Sequence, residues 1–307
     1  MILNNFERIK AATDKEFDAV LLISPINRRY ITNFRSSAGY VVIKPDKTYF
    51  ITDFRYYGAA KEKCTDAEVI LQEKVYNQLN DLLCGCKKVL VEEKYLTVAD
   101  YDRFKEKLDG YEMIQGASLA VEKLRAVKTD AELKKIIMAQ EITDKAFTHI
   151  VNWLSDNMSK NTVTESDVAL ELEYFMRKNG ADGIAFDTIA VSGAKSAMPH
   201  GVPENIPLSK GFLTMDFGAC YDGYCSDMTR TICIGEPSQE MIKVYDTVLN
   251  AQLKVLEKIK AGKTGKEIDA VARDYIYSKG YEGRFGHSLG HSLGLEIHES
   301  PNFSPSI

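Results

Sequence analysis

The sequence contains few histidines, few cysteines and no long apolar run. Its 307 residues include five histidines, six cysteines and one tryptophan. The cysteines lack Cys-x-x-Cys spacing and are too sparse for a disulfide-rich secreted scaffold, and the first residues do not resemble a signal peptide. We therefore expect reduced thiols in a cytoplasmic protein. The missing apolar run argues against a membrane-spanning helix, and a formal net charge of −5 argues against nucleic acid or anionic membranes as partners.

The composition is that of an ordinary globular protein, with 45% hydrophobic and 27% charged residues. The chain is long enough for two domains. Strand and helix patterns alternate in its first part, which predicts an α/β domain over residues 1–124. Strands are expected at 19–24, 40–43, 48–52 and 89–92, and helices at 55–63, 75–83 and 99–108. The polar stretch around Arg28, Arg29 and Tyr30 is interpreted as a solvated loop.

A second domain is predicted over residues 125–307. Thr129 and Glu132 form a capping-box pattern that opens a long amphipathic helix. The pattern then predicts a helix at 165–178, a strand at 183–191, a β-hairpin at 212–234, helices at 238–260 and 264–280, and a strand-forming stretch from 286.

Asp216 and Asp227 lie on the two arms of the predicted hairpin, which turns near Tyr221, Asp222 and Gly223. A turn at 221–222 places the two aspartates directly opposite each other, and a turn at 222–223 makes them diagonal neighbours. In either register both carboxylates share one face of the hairpin. Two adjacent like charges are costly unless a cation is shared, so the pattern favours a metal site. A solvated acidic hairpin is the alternative.

Three of the five histidines fall within residues 286–299, a glycine-punctuated stretch. These are His287, His291 and His298, and His200 follows Pro199 in a separate motif. Imidazole suits borderline transition ions, and carboxylate supplies hard oxygen. Aspartate combined with histidine therefore indicates Mn, Co, Zn or Fe(II) rather than Mg or Ca.

These motifs, in this order, resemble the creatinase/aminopeptidase P family of metallopeptidases, in its Xaa-Pro aminopeptidase and Xaa-Pro dipeptidase branch. The resemblance extends along nearly the whole chain. It implies a creatinase-like amino-terminal α/β domain followed by a pita-bread peptidase domain. It also implies hydrolysis of an amino-terminal Xaa-Pro bond in peptides or dipeptides, two divalent ions (manganese first, with cobalt or zinc as alternatives) and a homodimer.

The resemblance also assigns roles to individual residues. Asp216, Asp227 and His291 would be metal ligands, with Asp227 bridging two ions. His200 and His298 would hold the substrate and stabilise the tetrahedral intermediate, and His287 would line the substrate pocket.

The family pattern needs two further glutamate ligands on strands that follow the last histidine. Glu296 and Glu299 lie too close to His291 and His298 to replace them. Two aspartates return only two of the four charges on two divalent ions. We therefore expect the 307-residue chain to be a fragment whose pita-bread domain lacks its last strands, with weak metal binding and little turnover.

Two other interpretations follow from the same residues. The chain could be a different enzyme on this scaffold, such as a creatinase or a methionine aminopeptidase. The retained aspartates disfavour the former, and the large amino-terminal domain disfavours the latter. It could also be a catalytically impaired pita-bread module that binds peptides or partners. The retained aspartates and histidines disfavour this, whereas the missing glutamates favour it.

Overall fold

The computed structural model describes residues 3–158 and 162–306, and the chain divides into two compact units, Met1–Val127 and Lys128–Ile307. The boundary predicted between residues 124 and 125 falls three residues before this division, inside the last helix of the first unit. None of the helices within the described residues has both the length and the apolar character needed to cross a bilayer.

The first unit is a six-stranded mixed sheet with helices. Its helices are α1 (Asn5–Ala12), α2 (Pro25–Thr32), α3 (Phe54–Lys63), α4 (Val75–Leu83), α5 (Val98–Lys107) and α6 (Ala117–Ala126). Its strands are β1 (Ala19–Leu22), β2 (Tyr40–Ile43), β3 (Thr48–Thr52), β4 (Glu68–Leu71), β5 (Lys88–Val91) and β6 (Glu112–Gln115), in the order β4-β3-β2-β1-β5-β6. Alternate residues of β1 enter two separate apolar clusters, one on each face. Both faces are therefore covered, as expected for short continuous apolar strands.

The prediction of a solvated loop around Arg28 is wrong. Ser24 caps α2 and Pro25 occupies its first turn, and Arg28 is only 3% exposed. Its guanidinium donates to the carbonyl oxygens of Ile23 and Ser36. Buried Glu92 accepts hydrogen bonds from the amide and hydroxyl of Ser24 at 2.8 and 2.6 Å. Buried polar groups that satisfy one another hold this turn inside the unit.

The second unit contains two helix pairs and several small antiparallel sheets. Its helices are α7 (Asp130–Asn157), α8 (Glu165–Lys178), α9 (Gln239–Lys258) and α10 (Gly265–Ser278). Its strands are β7 (Gly183–Ile184), β8 (Ile189–Ser192), β9 (Gly211–Phe217), β10 (Ala219–Tyr221), β11 (Tyr224–Cys225), β12 (Met228–Ile234), β13 (Gly290–Ser292) and β14 (Glu299–Phe303). The strand predicted at 183–191 is divided into β7 and β8, which belong to different sheets.

The sheet β12-β9-β8 has one apolar and one polar face. Leu213, Met215 and Phe217 of β9 are fully buried in a cluster with residues of α7 and α8. Side chains alternate along a strand, so Thr214 and Asp216 lie on the opposite face. The helices therefore bury one side of this sheet, and its other side is left to carry polar chemistry.

Candidate active site

The hairpin that carries the two aspartates closes at Asp222-Gly223. Both turn residues have positive φ, 43° and 80°, which is the type I′ geometry that Asp-Gly favours. Tyr221 pairs with Tyr224, and further along Asp216 pairs with Thr229. Of the two registers left open by the sequence, the structure has the diagonal one. Asp227 precedes β12 and, by its register, shares the face of Asp216.

The strand pairing of the hairpin is interrupted between the turn at Asp222-Gly223 and the β9-β12 pair, and Asp227 lies at this interruption. Gly218 lies so close to Ser226 that a Cβ on the glycine would approach the Ser226 carbonyl oxygen to 2.0 Å. The Ser226 hydroxyl is fully buried and lies 2.7 Å from the hydroxyl of Thr143 on α7. Both hydroxyls accept from the amide of Ala219, at 2.9 and 3.1 Å. The long helix thus fixes the backbone immediately before Asp227.

Asp227, His291 and His298 come together in space. The Nε2 atom of His291 lies 3.4 Å from Oδ2 of Asp227. The ring of His298 packs edge-on against that of His291, with centroids 4.4 Å apart. β13 carries His291, which pairs with Asn302 of β14 next to a β-bulge. Residues far apart in the sequence therefore form one cluster.

Asp216 acts on this cluster through its charge. Burial raises the pKa of Asp227, the nearby Asp216 carboxylate raises it further, and His291 and His298 oppose the shift. Asp216 itself accepts a hydrogen bond from the Thr229 hydroxyl at 2.8 Å. Two carboxylates whose charges interact in a half-buried site favour a cation between them.

The donor chemistry fits a transition metal. Nδ1 of His291 lies 3.0 Å from the Ser292 carbonyl oxygen, which can only accept, so Nδ1 carries a proton and Nε2 faces Asp227. A tetrahedral ion with bonds of about 2.0–2.1 Å holds its donor atoms about 3.4 Å apart, close to the observed separation. Among residues 3–158 and 162–306, however, no group of three or more His, Cys, Asp and Glu side chains is arranged to hold a metal ion.

Two of the predicted site histidines lie apart from this cluster. His200 is exposed in a turn after the short 3-10 helix Gly193–Ala197. His287 is exposed, and its ring packs edge-on against Phe285 with centroids 5.0 Å apart. Within the described part of the chain, neither ring forms a hydrogen bond, ion pair or ring contact with Asp227, His291 or His298. Their assigned roles remain predictions.

Glu299, which the sequence excluded as a ligand, is engaged elsewhere. It is 8% exposed, and its carboxylate accepts from Lys128 Nζ at 3.0 Å and from the Glu296 amide at 3.1 Å. Gly294 allows this approach, since a Cβ there would lie 2.5 Å from a carboxylate oxygen. Glu299 thus serves as a structural group that links the backbone at Glu296 to Lys128.

Sequence reasoning missed the residues that hold the site in place. Thr143, Ser226 and Thr229 contribute hydroxyl groups to the backbone or to an aspartate, yet nothing in their local sequence marks them. The sequence signal that could have found one of them was the alternation of side-chain direction along β12, which places Thr229 on the face of Asp216. Thr143 lies 83 positions before Ser226, and only the fold joins them.

Comparison with known proteins agrees with this architecture. Residues 134–306 match Metallopeptidase family M24, and residues 8–127 match the Creatinase/Prolidase N-terminal domain. The uncharacterized peptidase YqhT of Bacillus subtilis is 42% identical over 293 residues, covering 94% of this chain and 81% of its own length. The Xaa-Pro dipeptidase of Pyrococcus furiosus is 34% identical over 299 residues, covering 96% and 83%.

A solved structure has a similar fold. The Xaa-Pro dipeptidase from Bacillus anthracis superimposes with a TM-score of 0.91 at 44% identity, covering 97% of this chain and 84% of its own. The predicted creatinase-type first domain and pita-bread second domain are thereby confirmed. The chain belongs to metallopeptidase family M24 and carries a creatinase/prolidase-type amino-terminal domain.

Proposed function

We propose that this metallopeptidase hydrolyses the bond before proline at the amino terminus of peptides, including Xaa-Pro dipeptides. The observation that carries the proposal is the contact of Asp227 with His291 and of His291 with His298, beside the charge of Asp216. Relatives named Xaa-Pro dipeptidase support this function over a peptide-binding module without activity.

The cofactor is proposed to be two divalent transition ions, manganese first, with cobalt or zinc as alternatives. Asp216, Asp227 and His291 would hold them, with Asp227 shared between the two. When bound, such ions polarise a carbonyl oxygen and make hydroxide available near neutral pH. The hydrogen bond from Thr229 orients one oxygen of Asp216.

The remaining histidines would act on the substrate. An imidazole can donate a hydrogen bond to the oxyanion as it forms. His298, which packs against the proposed ligand His291, is proposed for this role, with His200 as the alternative. His287 would line the pocket. Proline has no amide hydrogen, so peptidases that need this donor do not cleave the bond before it. Selectivity would then come from a compact pocket shaped for the pyrrolidine ring.

The proposal is tested by comparing an Xaa-Pro dipeptide with its Xaa-Ala counterpart in the presence of Mn²⁺, Co²⁺ or Zn²⁺. We expect metal-dependent turnover with clear preference for proline. Product formed at enzyme concentrations near that of substrate is measured by mass spectrometry. Equal cleavage of both dipeptides, or no cleavage of Xaa-Pro by the metal-loaded protein, would refute the proposal.

His298→Ala should lower kcat about 10²–10³-fold, as expected for loss of one donor to an oxyanion. Metal content should stay unchanged, because His298 touches the ligand His291 through its ring edge and is not proposed as a ligand. Metal analysis and steady-state kinetics on the same preparation separate the two effects. His149→Ala is the matched control, since His149 pairs with Glu171 on α8 instead. A large loss of metal in His298→Ala would identify a ligand.

Two further expectations accompany the proposal. Homodimer formation and a cytoplasmic location remain predictions from the sequence, and sedimentation and cell fractionation test them.

A further inference from the structure

The chain from Phe285 to Leu289, called here the 285–289 segment, leads into β13 and contains His287. β13 begins only at Gly290, where pairing with β14 starts. In the described part of the chain, no backbone group of the 285–289 segment is hydrogen-bonded to another strand. Unpaired backbone groups next to a proposed active site need some other support.

Two side chains of α10 supply that support. Arg273 Nη1 donates to the Phe285 carbonyl oxygen at 2.6 Å, and Nη2 donates to the His287 carbonyl oxygen at 2.8 Å. The carboxylate of Asp269 accepts from the Leu289 amide at 2.9 Å. The three backbone groups that they bind belong to every second residue, Phe285, His287 and Leu289. In an extended chain, the backbone groups of every second residue point to the same side.

The two side chains also fix each other. Arg273 Nε and Nη2 donate to the two carboxylate oxygens of Asp269 at 2.6 and 3.0 Å, a forked pair one helical turn apart. Asp269 is 1% exposed, and Arg273 forms an ion pair with it inside the unit. The guanidinium lies 4.4 Å from the centroid of the Phe285 ring. All three guanidinium nitrogens are therefore engaged, and only a planar fork meets this geometry.

We propose that Asp269 and Arg273 form a clamp that replaces a strand partner for the 285–289 segment and thereby positions His287 and the entry to His291. The pair is a positioning device and touches no reacting atom. His287 is held through its own backbone, because its carbonyl oxygen is bonded to Arg273 and its ring packs on Phe285. His291 follows Leu289 by two residues. The effect on catalysis rests on the proposed function, whereas the clamp itself does not.

Arg273→Lys tests the clamp with the charge preserved and the fork removed, and Asp269→Asn removes the charge. Either variant should speed hydrogen exchange of the Leu289 amide about tenfold or more, since its hydrogen bond to the Asp269 carboxylate is lost or weakened. The His287 ring protons should also lose the ring-current shift caused by Phe285. Lys263→Ala is the matched control, because it breaks an exposed ion pair with Glu267 at the start of the same helix.

Exchange of the Leu289 amide that stays at the wild-type rate in both variants would overturn the proposal. So would an equal increase throughout α9, α10 and β14, because that result indicates general destabilisation. With an Xaa-Pro dipeptide as substrate, Arg273→Lys should lower kcat/KM about 10- to 100-fold, the usual range for residues that orient a site. Absence of turnover in the unmodified protein would count against the proposed function alone, since the exchange comparison needs no activity.

Discussion

Replacing Asp227 with asparagine is expected to abolish metal loading and Xaa-Pro hydrolysis while raising the thermal stability of the metal-free protein. The amide keeps the size of the side chain but removes the charge that a shared cation needs. We expect kcat/KM to fall by about 10³-fold or more, beyond the loss from one oxyanion donor. Metal analysis and kinetics on the same preparation measure both effects.

The gain in stability follows from the direction of the pKa shift. Burial and the Asp216 charge raise the pKa of Asp227 above its unfolded value, more than the two histidines lower it. The folded state then binds the proton more tightly, so stability falls as pH rises from the unfolded pKa, about 3.9, through the folded one. Asparagine cannot ionise. The melting temperature of the metal-free Asp227→Asn protein should exceed that of the wild type at pH values above the folded pKa. The difference should disappear at pH values below the unfolded pKa.

Asp222→Asn is the matched control for this experiment. It makes the same change on the same hairpin, and asparagine tolerates the positive φ of 43° at this turn position. Asp222 pairs with Lys135 at the surface, where an ion pair contributes little. Normal metal binding and turnover are therefore expected. An Asp227→Asn enzyme that keeps stoichiometric metal and full activity would remove Asp227 from the site.

The sequence predicted features that depend on local rules. The hairpin turn near Asp222, the capping box of Thr129 with Glu132 and the helix at 165–178 all occur in the structure, whereas the choice between the two turn positions was left open. Each is governed by residues a few positions apart, so periodicity and turn chemistry suffice to find them. The aspartate and histidine motifs were recognised from local sequence as well, and the roles assigned to their residues remain predictions.

Features that depend on distant partners were not predicted. Ser24 and Pro25 carry an N-cap signal for α2, but the burial of Arg28 depends on how the turn packs against distant Glu92, which accepts from Ser24. Likewise, Arg273 lies 12 positions before Phe285, and its role appears only when the two meet in space. A polar stretch is mistaken for a solvated loop when the groups that pair with its buried charges lie far away in the sequence.

Gly218→Ala is expected to be the most damaging single methyl addition near the site. A Cβ at this position would lie 2.0 Å from the carbonyl oxygen of Ser226 and 2.8 Å from its carbonyl carbon. Both are backbone atoms of Ser226, whose amide donates to the Ala219 carbonyl oxygen and whose hydroxyl lies 2.7 Å from the Thr143 hydroxyl. Relief therefore requires movement of the chain that leads into Asp227. We expect unfolding free energy to fall by at least about 3 kcal/mol, at the upper end of overpacking effects.

The comparison with Gly286→Ala separates this clash from the general effect of adding a methyl group. Gly286 lies in the same unit, and a Cβ there would meet no heavy atom within 4 Å. Its stability should change by less than about 0.5 kcal/mol, as for ordinary surface substitutions. Chemical denaturation measures both variants, and metal titration follows the displacement of Asp227. Equal stability of the two variants would mean that the backbone at Ser226 moves aside at little cost. The close approach of Gly218 would then not determine the position of Asp227.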